Sequence, residues 1–478
     1  MDRMSQQNAK SAGSVQNLKH MLRALRGRNY AMFFVGQGLS LIGMWMQSVA
    51  LGLLVWKMTH KEMSLGLVGF ASQIFGFALT PFAGVFSDRW NRHRVLLATQ
   101  AMAMLQAILL AALTLTGVVH LWHVIALAAF LGLVSALDMP TRQAFVVQMV
   151  ARREDLPNAI ALNSFIFNGA RLVGPFIAAM IIPLIGGRFA FAYAGEGACF
   201  AINAMSYLAV IAALLAMRLP PWRPSPNQQH VLHSLKEGFR YSFGFAPIRM
   251  ILLMLGLICF VAMPYSVLLP AIAAKSLHAG RVEIPLLCLG KHCIMLKYEN
   301  TVGILVSSAG MGALLGALLL ASRKSIAGLG RLIAIAMAVL GVGMIGFALS
   351  KYVWLSMPLL VLIGFGFMLQ MASSNTILQT IVDDDKRGRV MSFYTMSFLG
   401  TAPFGALLAG SLATHIGAPM TILLSGVIAI LGSIVFALRL PLLLKHMRPI
   451  YVKMGIISDT PPIPKAAAEA DIQNHREG

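Results

Sequence analysis

Gly84-Val85-Phe86-Ser87-Asp88-Arg89-Trp90-Asn91-Arg92-His93-Arg94 places four charges within seven residues, between two apolar runs, 65–87 and 95–117. Each run is 23 residues long, and a bilayer core of about 30 Å needs roughly 20 apolar residues in a helix. The break between them is too short to hold a domain. The two runs therefore read as neighbouring membrane spans joined by a tight, charged turn.

The same pattern recurs along the chain. Spans are expected near Tyr30–Trp56, Leu65–Ser87, Val95–Gly117, Val124–Val150, Leu156–Ile185, Phe191–Met217, Ile248–Ala274, Thr301–Ala321, Leu332–Leu349, Trp354–Val382, Val390–Ile416 and Met420–Leu440, twelve in all. Of the 478 residues 58% are hydrophobic and only 12% charged, against about a quarter charged in soluble domains. Lipid is the solvent for most of this chain, and the fold class is an all-α membrane protein.

The net charge is +21. A nucleic-acid binder can be this basic, but the lysines and arginines sort by connection. With both termini on one side, that side holds 28 of them and the opposite side 8. The bias is that of cytoplasmic loops, so both termini are expected in the cytoplasm of a cell whose inner (plasma) membrane the chain crosses. No nucleic-acid role is expected. The first 29 residues form a basic cytoplasmic segment, polar rather than a secretory leader. Its Leu18, Met21, Leu22 and Leu25, interleaved with Lys19, Arg23 and Arg26, suggest a surface helix.

The longest polar break, residues 218–247, carries Pro220, Pro221, Pro224 and Pro226 and then Leu232, Leu235 and Phe239 at helical spacing. It is read as a cytoplasmic linker between a six-helix half at 30–217 and another at 248–440. Residues 441–478 are read as a cytoplasmic tail, Pro- and Ala-rich towards its end and disordered there. A shift of 231 residues lays Gln148 on Gln379, Phe167 on Phe398, Gly169 on Gly400 and Gly174 on Gly405, a faint trace of duplicated halves.

Six plus six spans with this loop resemble the major facilitator superfamily, whose signature Gly-x-x-x-Asp-Arg-x-x-Arg-x-Arg/Lys is matched at Gly84, Asp88, Arg89, Arg92 and Arg94. The resemblance implies a conformational role for these five residues, with Asp88 meeting the start of the eleventh helix near Gly388. The alternative is an ordinary positive loop. One branch fits further. Asp138-Met-Pro140-Thr-Arg142-Gln143, Glu154-Asp155-Leu156-Pro157-Asn158, Gly169-Ala-Arg171-Leu-Val-Gly174-Pro175 and Arg387-Gly388-Arg389-Val390-Met391-Ser392 look like the drug and siderophore exporters of the transmembrane secretion effector family. The resemblance runs from about Arg28 to Leu440.

Charges at membrane depth are the chemical candidates, because each costs at least ~2.5–3.5 kcal/mol there and so faces the interior or a wet cavity. Asp138 and Arg142, four apart, can pair on one helical face; Asp138 is the candidate proton-linked carboxylate. Arg171, at the middle of the fifth span, is suited to attracting an anion or to holding Asp138. Glu196 stands between glycines near the outer end of the sixth span. Asn163, Asn168 and Gln47 are candidate lining groups, and Gly169, Gly174 and Pro175 are candidate packing and bending points of the fifth helix. For Asp138, Arg142, Arg171 and the amides the competing reading is a plain interhelical tie, and for Glu196 a simply interfacial position. The resemblance associates the Gly-Pro patch of the fifth helix with antiport, a conformational role, against plain close packing. Cys288 and Cys293 flank a short polar loop in a seventh-to-eighth connection longer than the family's; a small disulfide, or two free thiols, is preferred to a metal site, since His292 adds too few ligands.

No phosphate-binding Gly-x-x-x-x-Gly-Lys-Ser/Thr loop, nucleophile motif or metal cluster occurs in the sequence. Neither an enzyme nor a cofactor is expected. The expectation is a monomeric secondary carrier, a proton-coupled exporter of a siderophore or amphipathic drug-like molecule by alternating access. The alternatives are a multidrug pump without a siderophore role and a scaffold or sensor that no longer transports.

Overall fold

The computed structural model describes residues 23–150, 152–187, 192–218, 231–277, 285–289, 292–295, 297–323, 325–326 and 328–454. At 80–89, 153, 231–236, 285–289, 292–295, 384–385 and 453 the description stops at the backbone. The surface helix expected at 18–25 falls mostly outside the described residues, as does the end of the tail. Among the described residues a 3₁₀ turn at Arg23–Arg26 precedes the first span.

Twelve helices among the described residues are long and apolar enough to cross a membrane. They are Arg28–Thr59, Glu62–Leu79 (within a helix running to Arg89), Arg92–Leu115, Leu121–Met149, Leu156–Gly186 and Ala194–Leu215 in the first half. The second half holds Ala246–Lys275, Tyr298–Ala321, Leu329–Leu349, Val353–Ile381, Lys386–Ile416 and Ala418–Val452. A short amphipathic helix, Val231–Gly244, precedes the second half. Its Phe239 stacks on Phe243 at 4.5 Å and meets Phe393 of the eleventh span edge-on.

The structure departs from the expected spans in three places. The seventh is broken into Ala246–Val261 and Tyr265–Lys275, because Pro264 lacks an N–H and disfavours helical backbone at Met263. The eleventh breaks at Gly400–Thr401, just ahead of Pro403. The two breaks face each other: Thr401 Oγ1 donates to the Gly256 carbonyl at 3.0 Å, and Gly405 lies on the Phe260 backbone. The twelfth helix does not stop at Leu440 but runs through Pro441 and Pro449 to Lys453. Leu443, Met447 and Tyr451, four apart and each buried, give that extension an apolar stripe whose packing overrides the prolines' local preference.

The hydrophobic core is not one body. A large cluster joins the second half to the far ends of the first-half spans, through Val49, Leu53, Trp56, Leu65, Ala178 and Phe200. The terminus-side part of the first half has a separate cluster built on Tyr30, Phe33, Leu96, Phe145 and Tyr207. The halves are thus fused at the end away from the termini. Glycines permit the approach: a Cβ on Gly66 of the second span would lie 2.7 Å from the Ala406 carbonyl of the eleventh, and one on Gly303 of the eighth span would lie 2.7 Å from Ala179 Cβ of the fifth.

Candidate functional site

Arg171 stands where the halves meet. Gly174, one turn on, lets the fifth span close on the first; a Cβ there would lie 2.6 Å from the Ile42 carbonyl and 2.7 Å from Trp45 Cβ. That approach carries the Arg171 guanidinium over the Trp45 ring, 5.4 Å from its centroid, a cation–π distance. Phe167 meets Trp45 edge-on at 6.0 Å. From the second half, Tyr265 brings its phenol within reach of the same guanidinium. Gly310 of the eighth span packs against the Arg171 backbone, where a Cβ would lie 2.7 Å from the Arg171 carbonyl. No carboxylate among the described residues pairs with Arg171. Its Nε and the Trp45 Nε1 are buried without a hydrogen-bond partner.

Asp138 does not join this junction, and Arg171 does not hold it. The carboxylate is buried between the third and fourth spans, where its Oδ1 accepts from Thr99 Oγ1 at 2.8 Å and from Gln100 Nε2 at 2.7 Å. Arg142 approaches its other oxygen at 3.3 Å, in the (i, i+4) relation read from the sequence. Hydrogen bonds to a charged group contribute about 1.5–3 kcal/mol each, so Asp138 is a strong tie within its own half.

The remaining amides are also local. Gln47 donates to Gln106 at 3.1 Å and accepts from Asn203 at 2.7 Å, a buried chain across the first, third and sixth spans. Asn168 donates to the Ser164 carbonyl of its own helix at 2.8 Å. Asn163 receives the Tyr30 hydroxyl at 3.2 Å. Of the three expected packing points on the fifth helix, Gly174 makes the contact described and Pro175 carries its carbonyl onto Gly303, whereas a Cβ on Gly169 would meet nothing within 4 Å. Gly169 is not a packing point. The helix runs unbroken through Pro175.

In the charged loop, Asn91 caps the third span by accepting from the His93 and Arg94 N–H groups at 3.1 and 3.3 Å, and Arg92 reaches the Ala144 carbonyl at 3.5 Å. Gly84, Asp88 and Arg89 are described by backbone only, so the contact expected of Asp88 lies outside the described side chains. In the seventh-to-eighth connection, Pro285–Leu289 (β1) pairs antiparallel with His292–Met295 (β2), and Cys288 stands opposite Cys293 in the register.

A feature not expected from the sequence closes the far end. Lys57, at the end of the first span, pairs with Glu196 at 2.8 Å and with Glu299 of the eighth span at 3.4 Å, and sits 6.0 Å from the Tyr298 ring. Lys275, at the end of the seventh span, pairs with Glu62 of the second at 2.7 Å and sits 5.2 Å from the Trp56 ring. Each half offers a lysine to the other's aromatic ring and carboxylate. Glu196 is 1% exposed, so it belongs to this cluster rather than to a membrane–water interface.

The comparisons with known proteins agree with this architecture. The transmembrane secretion effector family model matches residues 20–449. A staphyloferrin A transporter of Staphylococcus aureus is 24% identical over 84% of this chain and 94% of its own length. An enterobactin exporter of Citrobacter koseri is 24% identical over 91% and 94%, and a multidrug efflux pump of Mycolicibacterium fortuitum is 25% identical over 80% and 90%. Among solved structures, a bacterial homologue of the lysosomal transporter Spinster, inward-facing and unoccupied, aligns with a TM-score of 0.63 at 14% identity, covering 87% of this chain and 97% of that one. The twelve spans in two halves and a family match running from before the first span into the last leave one assignment: this chain belongs to the transmembrane secretion effector family of major facilitator transporters, and it is a transporter rather than an enzyme.

Proposed function

We propose that the protein is a proton-coupled exporter working by alternating access as a monomer, with both termini cytoplasmic and a siderophore or similar amphipathic metabolite as cargo. The observation that carries this reading is the asymmetry of the junction between the halves. Reciprocal lysine–carboxylate pairs and glycine contacts fuse them at the far end, while among the described side chains the first half's terminus-side apolar cluster does not extend into the second half. A carrier open towards the cytoplasm and closed outside has this form, and rocking the halves about the central contacts would exchange the two ends. The 28 to 8 division of basic residues supports the orientation. The relatives' names support cargo of the siderophore or drug type.

Asp138 is the proposed coupling carboxylate, and Arg142 the cation released when it is protonated. In liposomes under an imposed pH gradient, a catecholate siderophore is expected to move and a cationic dye to lag behind. The Asp138→Asn variant is expected to lose the gradient dependence. Equal gradient-driven movement by wild type and variant would reduce Asp138 to a structural tie. Movement of the dye alone would make the protein a drug pump, and movement indifferent to the gradient would remove the proton from the mechanism.

A further inference from the structure

We infer that Arg171 and Trp45 form an oxyanion-binding site at the centre of the molecule, which selects substrates carrying an ionised carboxylate or catecholate oxygen. The inference rests on the transporter reading above and narrows its substrate class.

Both groups are donors only. The guanidinium accepts nothing, and the indole offers a single N–H. Arg171 Nε and Trp45 Nε1 are buried without an acceptor, on side chains only 5.4 Å apart from guanidinium carbon to ring centroid. Both nitrogens still need an acceptor, and the groups placed beside the guanidinium, the Trp45 ring and the Tyr265 phenol, carry no charge. A neutral acceptor would satisfy the hydrogen bonds but leave the charge unbalanced at mid-span. Arg142 within its span and Lys57 and Lys275 at the far end each face a carboxylate, whereas Arg171 faces none among the described residues. The missing partner is therefore an anion, and a substrate can supply it.

The surroundings suit a cargo anion better than a permanent one. The Trp45 ring, with Phe167 set edge-on against it, and the buried Tyr265 give aromatic walls that complement an aromatic or amphipathic body. The donors come from the first and fifth spans, and Tyr265 comes from the seventh. An occupant thus touches both halves, as a ligand that biases their packing must. The crevice of about 510 Å³ lined by Thr376, Gln379 and Arg387 belongs to the tenth and eleventh spans and contributes none of these groups.

The test uses full-length protein in detergent micelles, with 2,3-dihydroxybenzoate and its neutral amide as probes and calorimetry as readout. The acid is expected to bind at least about tenfold more tightly than the amide. Trp45→Phe, which keeps the ring and removes the donor, and Arg171→Gln are each expected to weaken the acid about tenfold and leave the amide unchanged, with unfolding temperatures matching wild type. Equal binding of acid and amide, undetectable binding of the acid at millimolar concentration, or wild-type affinity in the folded Trp45→Phe variant would overturn the site. The two readings fail separately. Gradient-driven transport without discrimination between acid and amide removes the anion site alone. Discrimination without transport of siderophore or dye removes the exporter reading and leaves the site.

Discussion

Gly312→Ala is expected to be among the most damaging single-methyl changes in the chain, and Gly312→Val to prevent recovery of folded protein. The eighth and tenth spans cross at Gly312 and Gly364. A Cβ on Gly312 would run into the Val361 carbonyl and lie 2.8 Å from the Phe365 nitrogen, and one on Gly364 would run into the Ala309 carbonyl. These obstacles are backbone, so no side-chain rotation relieves them. Helices in lipid associate through such close small-residue contacts, because burying apolar surface adds little when the solvent is itself apolar. Overpacking costs about 1–3 kcal/mol in adaptable cores and more where the backbone must move. Gly169→Ala is the control. It meets nothing within 4 Å and removes a helix-weakening glycine, which favours stability by up to about 1 kcal/mol. Thermal unfolding in detergent should therefore move in opposite directions for the two alanine variants. Equal midpoints would show that the crossing is looser than described.

The second large effect is expected at the far end, where two similar lysines should behave differently. Lys57→Met strands Glu196, whose side chain is 1% exposed, and losing one partner of a buried pair costs about 3–5 kcal/mol. Lys275→Met strands Glu62, whose side chain is 8% exposed, but Lys275 is itself 56% exposed and holds the pair at the solvent edge. Its loss therefore costs more than the about 0–1 kcal/mol of a surface pair and less than that of a fully buried one. Stability should fall in both variants, and further in the first. Both remove a tie between the halves, so both should open that end. Spin labels at Thr116 and Lys351, in a background lacking the four native cysteines, should show a longer-distance population in each variant. Unchanged distances would mean that the glycine contacts alone hold the far end shut.

The coarse architecture was legible because lipid imposes a simple rule: a run of about 20 apolar residues must span. The pairing of Asp138 with Arg142 was legible for a similar reason, since four residues on a helix is a fixed geometry. The far-end pairs were not. Lys57 precedes Glu62 by five residues, whereas Lys275 precedes Glu299 by 24, because the β1–β2 segment lies between them. That insertion breaks the constant offset by which a repeat is recognised.

The sequence by itself determined the number of spans, their division into halves, the charge asymmetry of the loops and the family, all set by local composition or by short spacing along one helix. Only the tertiary structure decided that Gly174 and not Gly169 is the contact, that Asp138 is tied within its half, and that Arg171 meets Trp45 and Tyr265 rather than a carboxylate. These depend on which face of one helix turns towards another and at what height. In lipid that choice rests on close contacts between helices far apart in the chain, which neither hydropathy nor periodicity encodes.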